Sequence, residues 1–134
     1  MSIAIRYYSK TGNTKKLADA IAEVTGAEAC TVESPLTEKV DILFLGSAVY
    51  AAGIDDAVKS FVRDNKDKIG MIVNISTAAL IPSTYKQVKK LAEENGIKIC
   101  DDEFHCRGAF GAVHGGRPNA SDLDAVKAFA KKFI

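Results

Sequence analysis

The chain has 134 residues, 47% of them hydrophobic and 26% charged. These ordinary globular values exclude a disordered or collagen-like polymer and fit one domain over residues 1–134. With 18 Lys and Arg against 17 Asp and Glu the formal net charge is +1, which gives neither the basic footprint of a nucleic-acid binder nor a polybasic membrane segment. No apolar run approaches the roughly 20 residues a membrane helix requires, and Met1 to Lys10 lacks the pattern of a signal peptide. Cys30, Cys100 and Cys106 are too few for a disulfide framework, so a reducing cytoplasm is expected. The glycosylation-type triplets at Asn74 and Asn119 are then coincidental.

Taken in order, Ile3 to Tyr8 is β-branched and aromatic and reads as a strand. Thr14 to Thr25 follows as a helix with Leu17, Ile21 and Val24 on one face, and Gly26 is placed to end it. A weaker strand is expected at Glu28 to Val32. Only Glu33 to Val40 separates it from the third strand, Ile42 to Leu45, so the crossover there holds one helical turn after Pro35 or none. Asp55 to Lys66 is a helix burying Val58, Phe61 and Val62, with acids at its start and Lys66 at its end, as the helix dipole favours. Met71 to Ile75 is the fourth strand. Ser83 to Asn95 forms a helix with Ser83 as N-cap, Val88, Leu91 and Ala92 inward, and Gly96 as its stop. Ile97 to Cys100 is the fifth strand. Arg107 to Ala120 is irregular and glycine-rich, and Ser121 to Phe133 closes the chain as a helix directing Leu123, Val126, Phe129 and Phe133 inward.

The nearly continuous apolar runs at Ile42 and Met71 suit strands covered on both faces. The order βαβ(short)βαβαβα therefore predicts an α/β fold, a five-stranded parallel sheet between two helical layers. Ligands in such folds bind beyond the carboxyl ends of the strands. Function is sought there.

The first strand runs into Ser9-Lys10-Thr11-Gly12-Asn13-Thr14, directly before a helix. Backbone N–H groups of a tight loop, the helix dipole and three hydroxyls make an anion site there. Gly12 allows a backbone conformation other residues resist. A simple capped turn would use the same residue types. This hexapeptide resembles the [ST]-x-T-G-N-T phosphate loop of the flavodoxin family, and the element order of the whole chain is similar too. The resemblance implies a flavodoxin-like three-layer sandwich with the second crossover helix shortened or absent, binding FMN. Ser9, Thr11, Asn13 and Thr14 would hold the phosphate through side chains, and Lys10 and Gly12 through the backbone.

By the same resemblance, Ser47, Ala48, Val49, Tyr50 and Ala51 after the third strand line one face of the flavin ring, with Tyr50 as stacking candidate; the alternative is a ring capping the core edge. Ser76, Thr77, Ala78, Ala79 and Leu80 after the fourth strand line the other face. That loop has no aromatic and no acidic residue, which implies a flavin easier to reduce than one in an acidic site. Tyr85 is expected on the helix surface.

His105, Cys106, Arg107 and His114 raise the possibility of thiol chemistry, but no third orienting group is placed by spacing. Cys100 and Cys106 read as structural, and no metal site has ligand spacing. Arg107, His114 and Arg117 could alternatively meet an anionic substrate or partner. The nucleotide-hydrolase and G-x-G-x-x-G loops are absent, as are the spacing of a small tyrosine phosphatase and the strand-end aspartates of a receiver domain. No catalytic acid or base is identifiable. The leading expectation is a cytoplasmic electron-transfer protein working with redox partner proteins, a reductase or ferredoxin-like donor and an acceptor the sequence does not name. The alternatives are an FMN-dependent oxidoreductase of the quinone or protoporphyrinogen type, whose short flavodoxin-like members Gly46 to Val62 also resembles, and a non-redox binding module.

Overall fold

A computed structural model describes residues 2–9, 12–50, 53–78, 83–107 and 116–134; for Ala48, Val49, Tyr50, Gly53, Ala78 and Arg107 it describes the backbone only. Its strands are β1 (Ile3–Tyr7), β2 (Ala29–Thr31), β3 (Ile42–Tyr50), β4 (Gly53–Ile54), β5 (Met71–Ala78), β6 (Lys98–Ile99) and β7 (Phe104–Arg107). The helices are α1 (Asn13–Thr25), α2 (Asp56–Asn65), α3 (Tyr85–Glu94) and α4 (Ala120–Ala130), with short 3-10 turns at Lys66–Lys68 and Lys131–Phe133. The main sheet is parallel and runs β2-β1-β3-β5, then β6 and β7, which both pair with β5 and share its far side. This gives the five strand positions the periodicity predicts.

Alternation along the strands builds two cores. Leu43, Leu45 and Ile72 face one side and pack with Val58, Phe61 and Val62 of α2 and Val88 and Ala92 of α3. Ile5, Phe44, Val73 and Ile75 face the other, against Leu17 and Ile21 of α1 and Val126 and Phe129 of α4. Leu43, Phe44 and Leu45 are all fully buried, as a central strand covered by helices on both faces must be. The helix ends follow the sequence signals. Asp55 caps α2 by accepting the Ala57 N–H at 2.9 Å, and Gly26 ends α1 at a φ of 77°. Helix α4 starts one residue earlier than expected because Asn119 and Asp122 form a reciprocal capping box.

Three differences from the sequence reading bear on the site. The third strand does not end at Leu45: β3 continues to Tyr50 and turns back antiparallel, Val49 opposite Ile54 and Tyr50 opposite Gly53. The fourth likewise extends to Ala78, because Ser47 and Ala48 of β3 continue the ladder with Ser76 and Thr77. The fifth strand position is split, β6 holding its amino half and β7 its carboxyl half, so its ligand-side end lies at Phe104–Arg107 rather than at Cys100.

The β2–β3 crossover contains no helix. Val32, Leu36 and Val40 are buried in the α2/α3 core, and side chains supply partners a helix would otherwise provide. The Leu36 N–H donates to Asn65 Oδ1 at 3.0 Å, Arg6 donates to the Ser34 and Pro35 carbonyls at 2.8 and 3.3 Å, and Lys68 donates to the Leu36 carbonyl at 3.0 Å.

Candidate functional site

Helix α1 begins just beyond the end of β1. Gly12 stands before it at φ 86°, the left-handed region, and gives the helix no side-chain cap. The positive dipole end of α1 therefore lies at Gly12. Ser9 Oγ accepts the Gly12 N–H at 2.9 Å and closes the turn. Asn13 is buried and Thr14 fully so. The close seating of α1 on the sheet depends on Gly46: a Cβ there would lie 2.7 Å from Thr14 Cγ2 and 3.0 Å from Tyr7 Cβ. Gly46 is thus a close-approach corner, and Thr14 is the group that approaches it.

Thr14 Oγ1 lies 3.0 Å from Thr77 Oγ1 and 3.4 Å from the Ser47 carbonyl. One fully buried hydroxyl therefore ties the first turn of α1 to the carboxyl halves of β3 and β5. On the opposite face of the sheet the polar groups are more numerous. Ser47 Oγ sits 2.8 Å from Thr84 Oγ1, and Asn74 Nδ2 donates to that same Thr84 oxygen at 3.2 Å. Ser76 Oγ accepts the Thr84 N–H at 3.3 Å. Ser83 Oγ accepts the Tyr85 N–H at 3.0 Å and donates to Glu103 Oε1 at 2.7 Å; the N-cap of α3 is Thr84 rather than the expected Ser83. His105 Nδ1 completes the chain, 3.0 Å from both Glu103 oxygens.

Of the expected site residues, Ser9, Gly12, Asn13, Thr14, Ser47, Ser76 and Thr77 are gathered at this edge, and the backbones of Ala48, Val49, Tyr50 and Ala78 continue from it. Lys10, Thr11, Ala51, Ala79, Leu80 and His114 lie outside the described residues. The side chains of Ser47, Ser76 and Thr77 are bonded inside the protein, so their groups support the neighbouring loops. Asn74, Thr84 and Glu103 were not anticipated. An asparagine inside the apolar run Met71-Ile72-Val73-Asn74-Ile75 was the available signal, since a buried amide requires partners. The 76–80 stretch itself carries no acidic residue, and the fold brings the Glu103 carboxylate, from the coil before β7, to Ser83 at the start of α3.

Cys106 and His105 do not form a pair. Alternation along β7 puts buried Cys106 in the α1/α4 core, while His105 turns to Glu103 on the α3 side. Burial, and secondarily the charge of Asp122, pushes the Cys106 thiol up to about 12, against a lowering by Arg117. It stays protonated near neutrality and makes a poor nucleophile. Arg117 does not reach outward for an anion; it closes on Asp122 with two bonds of 2.6 and 2.7 Å. That guanidinium is the main cause holding the Asp122 carboxyl below its ordinary value, with the Asn119 N–H adding to it and burial opposing. Among the described residues no group of three or more His, Cys, Asp or Glu could hold a metal ion.

Sheet order, two helical layers and a glycine turn feeding a helix N-terminus define a doubly wound α/β protein with its binding edge at the strand ends. A family model described as a flavodoxin domain matches residues 4–126, and the chain belongs to that family. An uncharacterized protein of Methanocaldococcus jannaschii is 26% identical over 136 aligned positions, covering 91% of this chain and 90% of its own. Among solved structures, a flavodoxin from the domain Archaea superposes with a TM-score of 0.80 at 14% identity, covering 98% of this chain and 95% of that one. A flavoprotein from Lactobacillus acidophilus, solved in complex with FMN, gives 0.61 at 18% identity over 79% of this chain and 92% of its own. Such identities speak to the fold.

Proposed function

We propose that this chain is a single-domain FMN protein, residues 1–134, that carries electrons between redox partner proteins in the cytoplasm. The observation that carries the reading is the β1–α1 junction, where a left-handed Gly12, the Ser9 hydroxyl and the amino end of α1 meet within a flavodoxin-family chain. These groups suit a phosphate monoester, which favours helix N-terminal donors and hydroxyls. In this reading Ser9, Thr11, Asn13 and Thr14 hold phosphate oxygens with their side chains, and Lys10 and Gly12 with backbone N–H groups. Thr14 Oγ1 pairs with Thr77 and donates to the Ser47 carbonyl at 3.4 Å, so its single proton would reach a phosphate oxygen only in place of that carbonyl.

Residues 47–51 and 76–80 would flank the ring. The internal bonds of Ser47, Ser76 and Thr77 support those segments from below and leave the ring contacts to backbone groups and to Tyr50. FMN supplies the electron chemistry when bound; the chain anchors it, flanks it and sets its electrostatic surroundings. No helix among the described residues is long and apolar enough to cross a membrane. Cys30, Cys100 and Cys106 are all unpaired, which supports a reducing compartment.

The test is a titration of the purified chain with FMN. Saturable quenching of flavin fluorescence and a shifted visible spectrum are expected; unchanged fluorescence would remove the reading. With FMN bound, reduction only through a partner flavoprotein or ferredoxin marks a carrier. Direct NAD(P)H consumption with a quinone would instead mark an oxidoreductase.

A further inference from the structure

The Ser83–Glu103–His105 chain lies outside the phosphate loop and belongs to none of the roles assigned above. Glu103 is drawn from the coil before β7, its side chain only 15% exposed. A shielded carboxylate needs partners, and it has two: the Ser83 hydroxyl at 2.7 Å and His105 Nδ1 at 3.0 Å. Ser83 is the first described residue after 79–82, and its hydroxyl also accepts the Tyr85 N–H at the first turn of α3. On the other side of the same connection, Ser76 Oγ takes the Thr84 N–H and lies 3.4 Å from Ser83 Oγ. Both stems of the β5–α3 connection are thus tied to each other, and Glu103 is their tether to the fifth strand position.

We infer that Glu103 is a positioning residue of the flavin site: oriented by His105, it fixes Ser83 and so the start of α3, setting the connection that flanks the ring. This rests on the FMN reading for its consequence, and on the hydrogen bonds alone for the tether. A charge-assisted bond is the stronger kind, so its removal registers at both levels. His105 acts through Glu103, holding the carboxylate in place.

The experiment compares Glu103→Ala and Glu103→Gln with the natural chain, reading FMN affinity by fluorescence and amide exchange at Tyr85 and Val88. The alanine variant is expected to lose about tenfold in FMN affinity and to exchange those amides about tenfold faster. Glutamine still accepts from Ser83 through Oε1 and can donate to His105 through Nε2, so it should restore both readouts to within about threefold. Alanine-variant affinity equal to that of the natural chain, or a glutamine variant as weak as alanine, overturns the inference. If Glu103→Ala fails to fold, Ser83→Ala breaks the same bond from the other side and is read by FMN affinity and Val88 exchange. Failure of the natural chain to bind FMN would strike the proposed function instead; unchanged exchange in the alanine variant would still refute the tether.

Discussion

The central strands β3 and β5 are built of two unlike halves. Toward their amino ends, Leu43, Phe44, Leu45, Ile72 and Val73 are fully buried and apolar, and their contribution grows with area removed from water and with contact. Toward their carboxyl ends, Ser47, Asn74, Ser76 and Thr77 are equally shielded yet polar. There each group depends on a partner of the right kind at the right distance. One half is insensitive to direction and intolerant of lost volume. The other tolerates little change in chemistry even where volume is kept. The strand ends that face the candidate site therefore hold their geometry by pairing, while the rest of the strands supply the stability that makes such pairing sustainable.

The largest effect should come from the apolar half. Phe44 packs edge-on against Phe133 with ring centroids 5.6 Å apart, and Phe44→Ala should lower stability by about 3–5 kcal/mol in chemical denaturation. The sharper comparison sets Thr84→Val against Ile72→Val. The first keeps volume but strips the hydroxyl that Ser47 and Asn74 share, costing about 1–3 kcal/mol. The second removes one methylene from the apolar half at about 0.5–1.5 kcal/mol. Equal losses would erase the distinction between the halves. The smallest effect belongs to the rim. Asp122 has a folded-state carboxyl held low by Arg117, so its stabilisation is present above the unfolded value of about 3.9 and fades as pH falls through the folded one. Asp122→Asn should flatten the acid limb of a stability–pH curve below about pH 4, with the polar half of the strands unaffected.

The layers were legible because they depend on periodicity. Ile42 to Leu45 and Met71 to Ile75 announce doubly covered strands, and Leu17 with Ile21 announces the helix between. The glycine before α1 was legible because Gly12 stands among turn-forming residues directly ahead of a helical period. What escaped was pairing across the sheet. Ser47 finds Thr84 and Ser83 finds Glu103 over long stretches of chain, and neither spacing nor propensity encodes such meetings. Strand length escaped for the same reason: Gly46, Ser47 and Ala48 are poor strand formers alone and are carried into the ladder by their neighbours on β5. Cys106 beside His105 is the reverse case: the structural reading of the cysteine holds, since adjacency along a strand sends side chains to opposite faces.

The helix-free passage from β2 to β3 has an architectural consequence. Val32, Leu36 and Val40 pin it, while Glu33 to Pro35 and Thr37 to Lys39 lie exposed. Lengthening a flexible surface loop adds only about 0.6 kcal/mol for each doubling. Extra residues spliced in at Thr37 to Lys39 would therefore emerge into solvent, leaving the three anchors and the ladder in register. This makes the passage a natural insertion port, where a tag or a small reporter domain can be grafted.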